Sequence, residues 1–294
     1  MTTFHLSAFA DEADASLAKQ IEALNANGVA QIEMRGVNGK SVANLTDAEA
    51  REARAMLKDG GISLWAMGSP FGKYPIDEPF EIHLEAFKRG LELCDILGTK
   101  RVRMFSFFMK EGEDPAVRRT QVIDQLGKML DLADDAGLAL CHENERDIFG
   151  DVTDRCVDLM EAFGGRMGFV FDPANFLLCG VKPKEAWGLL DKYTSYMHVK
   201  DVDLKTGAIV PSGAGDGEIS WTLSQLAARG GDFTLSVEPH LTIFDGLKDL
   251  QREGLTHKYQ YPDKRTAFDA AVSALKEVLA ENNYREGGAG VWKK

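Results

Sequence analysis

Eight times along the chain, a short apolar run is followed by a longer stretch with helical spacing. This alternation constrains the fold more than any other feature. The runs are Phe4 to Ala10, Val29 to Arg35, Ile62 to Gly68, Arg101 to Phe108, Leu138 to Asn144, Met167 to Asp172, Ser195 to Lys200 and Phe233 to Glu238. Strand and helix in repeated succession mark βαβ units wound around a parallel sheet. No Pro/Gly/Ser-rich linker or shift of composition divides the 294 residues. The pattern therefore predicts one α/β domain over residues 1–294, a single (β/α)8 TIM barrel, with a doubly wound open sheet as the alternative.

Local signals place the helices. Thr46 and Glu49 read as a capping box, Pro115 suits a first helical position, and Gly28, Gly98 and Gly137 sit where helices end before the next strand. Two connections exceed the minimal unit, Ser69 to Pro79 after the third strand and Asp201 to Ser220 after the seventh. In the latter, GAGDG (213–217) reads as a turn, not a phosphate loop. Both connections are expected over the active face, because barrel sites are built by the loops at the C-terminal ends of the strands. The helical tail RTAFDAAVSALKEVLAENN closes the barrel or forms a contact in a homo-oligomer.

Composition narrows the partners. With 46 acidic against 34 basic residues, the formal net charge of -12 disfavours nucleic acid, whose binding needs clustered Lys and Arg. The N-terminus lacks a basic segment before an apolar one, and no run of about 18 apolar residues occurs, so a cytoplasmic protein without membrane contact is expected. Four widely spaced cysteines without a C-x-x-C pair fit reduced thiols.

Polar residues ending apolar strands are where chemistry belongs in a barrel. Strands five to eight end in CHEN, FDPAN, MHVKD and SVEPH, offering Glu143, Asp172, His198 and Glu238. Three carboxylates and an imidazole from four consecutive strands suit one divalent ion, Mn²⁺ first, with Mg²⁺, Co²⁺ or Zn²⁺ also compatible.

In this order, HEN, FDPAN, HVKD and VEPH resemble the xylose-isomerase-like TIM-barrel superfamily, the sugar phosphate isomerase/epimerase group, over essentially the whole chain. The resemblance implies a metal held by Glu143, Asp172, His198 and Glu238. It also implies a sugar or sugar derivative as substrate, isomerised or epimerised by proton transfer next to a carbonyl through a metal-stabilised enediolate. Glu143 and Glu238 are the acid–base candidates. Two positions depart from the ketohexose epimerases: Asn175 stands where they place a substrate-binding His, and Leu204 where they place an Arg. A His directly before the metal Glu is similar to the C-glycoside deglycosidases. This motivates a second reading as a lyase acting on 3-keto-glycosides or inososes, with His142 as base. A non-catalytic sugar-binding barrel is a third.

Around this set, Asn175, Lys200, Asp201, His240, Arg35 and Lys73 are candidate substrate contacts, and Lys200 and Asp201 could also orient the imidazole of His198. Strand alternation turns His142 away from Glu143 unless the strand end bends. Arg103 is ambiguous, Glu145 and Arg146 are expected to pair with each other at the rim, and some of Phe105, Phe107, Phe108, Phe149, Phe171 and Phe176 are expected to wall a pocket.

Overall fold

The computed structural model describes residues 2–241 and 259–294. All eight expected strands form: β1 (Thr2–Ala8), β2 (Gln31–Met34), β3 (Ser63–Gly68), β4 (Arg101–Met104), β5 (Ala139–Glu143), β6 (Gly168–Phe171), β7 (Thr194–Val199) and β8 (Gly231–Val237). They pair in parallel in the order β1-β8-β7-β6-β5-β4-β3-β2, the cyclic order of an eight-stranded barrel. The outer helices are α1 (Leu17–Ala26), α2 (Asp47–Asp59), α3 (Phe80–Leu97), α4 (Pro115–Asp135), α5 (Thr153–Ala162), α6 (Pro173–Leu178), α7 (Pro183–Leu190), α8 (Ile219–Arg229) and α9 (Lys264–Glu281).

Local chemistry sets the boundaries as expected. Thr46 and Glu49 cap α2 reciprocally, Pro115 opens α4 behind the Asp114 cap, and Gly98 ends α3 at φ +83°. The tail helix α9 packs against the barrel. After it comes an element that the sequence reading did not anticipate, a hairpin of β9 (Arg285–Gly288) and β10 (Val291–Lys293). β10 runs antiparallel to β1, and Gly290 accepts the Leu6 N–H at 2.7 Å. The hairpin wedges beside the start of β2, because a Cβ on Gly290 would lie 3.2 Å from the Ala30 nitrogen. Its Gly-rich sequence lacks the apolar alternation that marks the other strands.

Alternation divides the side chains of each strand. Leu140, Phe169, Phe171 and Met197 join the main core between sheet and helices, while Cys141, Val170 and Tyr196 form a separate cluster inside the barrel. The inward set climbs from Cys141 to Glu143, from Val170 to Asp172, from Tyr196 to His198 and Lys200, and from Ser236 to Glu238. The same period delivers Glu33 and Arg35 from the second strand and Arg103 and Phe105 from the fourth. The four cysteines are free; Cys94, Cys141 and Cys156 are buried and Cys179 is half-buried.

The loop after β3 is held by close backbone contact. Phe105 N–H donates to Phe71 O at 2.8 Å and Phe107 N–H to Gly72 O at 2.7 Å. Gly72 has φ +85°, and a Cβ there would fall 2.1 Å from Phe105 O, so only glycine fits. Beneath it, His83 of α3 accepts the Gly72 N–H through Nε2 at 3.1 Å, and burial pushes its imidazole pKa down to about 4. The neutral form is thus the folded form. Its stabilisation is complete above the unfolded value near 6.5 and is lost as pH falls toward about 4. Urea unfolding should show stability declining below pH 6.5 by up to about 1.4 kcal/mol per pH unit for this group. His83→Gln keeps an acceptor for Gly72 and should flatten that slope; an unchanged slope would count against the assignment.

Candidate metal centre and active site

The four strand-end residues converge. One ligand atom each from Glu143, Asp172, His198 and Glu238 lies within 4.8 Å of the others, and all four residues are buried. Each is fixed by its own element. Glu143 closes β5, where Asn175 Nδ2 donates to its Oε1 at 3.2 Å and Arg103 Nε lies 3.2 Å from its Oε2. Asp172 is the N-cap of α6 and accepts the Asn175 N–H through Oδ1 at 2.9 Å. Asn144 braces the junction, donating to Asp172 O at 2.8 Å and accepting the Asp172 N–H at 3.0 Å.

His198 points Nδ1 into the cluster, 3.1 Å from Glu143 Oε1, and Nε2 toward Glu33 Oε2 at 3.0 Å. Lys200 bridges two of the carboxylates, with Nζ 2.7 Å from Glu238 Oε2 and 3.0 Å from Asp172 Oδ2. His198 Nδ1 and Asp172 Oδ2 are nevertheless buried without a hydrogen bond of acceptable geometry. Buried polar atoms without a well-formed hydrogen bond are costly. A cation seated among the three carboxylates and the imidazole would satisfy both, so the donor set fits a divalent metal.

The electrostatics differ across the cluster. Burial raises the pKa of Asp172 above the usual carboxylate range despite Lys200. Burial also opposes ionisation of Glu238, but Lys200, His240, His198 and Arg35 outweigh it and hold that carboxyl well below the usual range. The difference follows from distance and number of cations: Glu238 has the closer Lys200 contact, and His240 Nε2 and Arg35 Nη1 lie 3.3 and 3.4 Å from its other oxygen.

Above this cluster opens a cavity of about 470 Å³, a size suited to a sugar. Glu143 and Glu238 face it, together with Arg35, Lys73, Arg103, Phe105 and His240. Each cation on this wall already has an anionic partner. Arg35 pairs with Asp11 at 2.9 Å and Glu12 at 3.0 Å, and Lys73 with Glu145 at 2.9 Å. His240, at φ +46°, is fastened to Glu12 through Nδ1 at 2.7 Å.

Several expectations are corrected here. His142 follows strict alternation onto the outer face, where Nε2 meets Ser106 Oγ at 2.9 Å, the ring stacks on Phe169, and burial pushes its pKa down to about 3. It does not line the cavity. Asp201 lies off the cavity and organises its own loop, accepting N–H groups from Gly213, Gly215 and Gly217 at 2.8 to 3.0 Å. Asn175 holds Glu143 and Asp172 and also does not line the cavity. Glu145 pairs with Lys73, and Arg146 with Asp147. Of the six phenylalanines only Phe105 lines the cavity; Phe107, Phe149, Phe171 and Phe176 are core.

A barrel with a buried carboxylate–imidazole cluster beneath an open polar cavity at the C-terminal strand ends defines the class: an α/β barrel whose strand-end residues could hold a divalent metal. The chain belongs to the xylose isomerase-like TIM barrel family, whose model matches residues 21–280. Among solved structures it is similar to the IolI protein with a bound zinc atom, at 18% identity and TM-score 0.74, covering 94% of this chain and 98% of that one. It is also similar to the probable 3-DHS dehydratase AsbF of Bacillus anthracis, at 15% identity and TM-score 0.68, covering 94% and 99%. A third is the 3-keto-D-glucoside 4-epimerase YcjR of E. coli, at 13% identity and TM-score 0.67, covering 94% and 98%. No curated protein sequence matches the chain. At these identities the likenesses show the fold. No helix among the described residues is long and apolar enough to cross a membrane.

Proposed function

We propose that the chain is a divalent-metal-dependent sugar isomerase or epimerase, with Mn²⁺ as the first-choice ion. The observation that carries this reading is the buried set of Glu143, Asp172, His198 and Glu238, two of whose donor atoms lack a well-formed hydrogen bond, directly beneath the cavity. When bound, a divalent ion would polarise the substrate carbonyl and stabilise the enediolate left by loss of a neighbouring proton.

The chain's own residues supply the rest. Glu238, held ionised by its cationic neighbours, takes the proton from the carbon beside the carbonyl. Glu143, oriented by Asn175 and Arg103, faces the same cavity and returns a proton. Arg35, Lys73 and His240 line the wall and donate to hydroxyl groups. Because Arg35 and Lys73 are matched by Asp11, Glu12 and Glu145, the wall offers little surplus positive charge, and an uncharged polyhydroxy ketone fits better than a sugar phosphate.

The elimination reading loses its base candidate, since His142 faces away from the cavity. The test is mass spectrometry of reactions in D₂O with ketoses, inososes and 3-keto-glycosides, using Mn²⁺-loaded and EDTA-stripped protein. The expected result is an isomeric product one deuterium heavier, formed only with metal. Release of water or an aglycone would establish a lyase instead, and metal-dependent binding of a sugar without exchange or turnover would favour the sugar-binding barrel.

A further inference from the structure

Glu33 lies inside the barrel on β2, fully buried and away from the cavity wall, and sequence reading gave it no role. Burying a carboxylate is costly unless it is fully engaged. This one accepts from Tyr196 Oη at 2.9 Å through Oε1, and its Oε2 meets His198 Nε2 at 3.0 Å. Arg103 Nε stands 3.7 Å from Oε1, completing a polar network below the ligand cluster. Phe9 and Tyr196 pack edge-on against the His198 ring, at 5.1 and 5.6 Å between centroids, and restrict its rotation.

We infer that Glu33 is a positioning residue that fixes the tautomer and orientation of His198 from across the barrel. An ionised carboxylate can only accept, so an imidazole proton stays on Nε2, and Nδ1, which faces Glu143, Asp172 and Glu238, is the nitrogen that would serve as ligand when a metal binds. Nδ1 lies 3.1 Å from Glu143 Oε1 and 3.9 Å from Glu238 Oε2, on the side of the ring where a shared cation would sit. Glu33 thereby sets metal affinity without touching metal or substrate, and Tyr196 and Arg103 hold Glu33 in place.

This inference rests on the metal reading above, and the experiment separates the two. Mn²⁺ binding to the 294-residue chain is measured by calorimetry for wild type, Glu33→Gln and Tyr196→Phe. Imidazole ¹⁵N spectra of the Zn²⁺-loaded forms report the His198 tautomer. Glu33→Gln should weaken Mn²⁺ binding by roughly 10- to 100-fold and shift the His198 nitrogen signals, because an amide holds the Nε2 proton less firmly. Tyr196→Phe leaves the carboxylate in place but removes one of its anchors; it should give a smaller loss, and it keeps the test decisive if Glu33→Gln does not fold. A wild type that binds Mn²⁺ with variants of equal affinity and unchanged His198 signals overturns this inference alone. A wild type that binds no metal overturns the metal reading, and the inference with it.

Discussion

Glu238→Gln is expected to lower turnover by about 10³-fold or more and to weaken metal binding at the same time. Glu238 is the carboxylate that both belongs to the four-residue cluster and is held well below the usual carboxylate range, with Lys200 the largest stabilising influence, while facing the cavity. An amide of the same shape cannot accept the substrate proton and is a poorer ligand for a divalent ion. The Lys200 ammonium would also lose half of its carboxylate pair. Deuterium incorporation under single-turnover conditions, with Mn²⁺ titrated in parallel, measures both effects. A variant that saturates with Mn²⁺ and exchanges at the wild-type rate would remove Glu238 from the mechanism.

Lys200→Met is expected to destabilise the metal-free protein by about 3–5 kcal/mol, the usual consequence of removing one partner from a buried ion pair. The side chain is buried, and its ammonium is the charge that lies between Asp172 and Glu238. Without it, Asp172 loses the ammonium at its Oδ2, and Glu238 keeps Arg35 and His240 only at its other oxygen. Saturating Mn²⁺ should restore part of the loss, because an ion at the cluster supplies the missing positive charge and binds the folded state only. Urea unfolding with and without Mn²⁺ checks the expectation. Equal stability of variant and wild type without metal would show that Lys200 does not serve as counter-charge to the cluster.

What the sequence made legible was local or periodic. A polar residue ending an apolar strand stands out, so Glu143, Asp172, His198 and Glu238 could be found one strand at a time, and barrel topology brings such ends together. Alternation alone points His142 outward; its assignment as a base needed a bend at the end of β5, and that strand instead keeps regular register with both neighbours. Partnerships across the barrel were not legible. Glu33 and Arg103 meet His198, Tyr196 and Glu143 only because the closed sheet places distant strands face to face; Glu33 and His198 are 165 residues apart. Near neighbours in sequence misled at the rim, where Glu145 reaches over to Lys73 rather than pairing with Arg146. Asp201 follows the site motif directly, yet its carboxylate is occupied by the backbone of its own loop, whose glycines leave no room for a Cβ beside it.

The most direct test of the central claim is anomalous diffraction from crystals grown with Mn²⁺, recorded at the manganese edge. The expected result is one strong peak within bonding distance of Glu143, Asp172, His198 and Glu238, with Lys200 Nζ moved off the carboxylate oxygens that the ion takes. No peak among these residues at saturating Mn²⁺, with the Lys200 bridge between Asp172 and Glu238 intact, would contradict the assignment of this cluster as a metal centre.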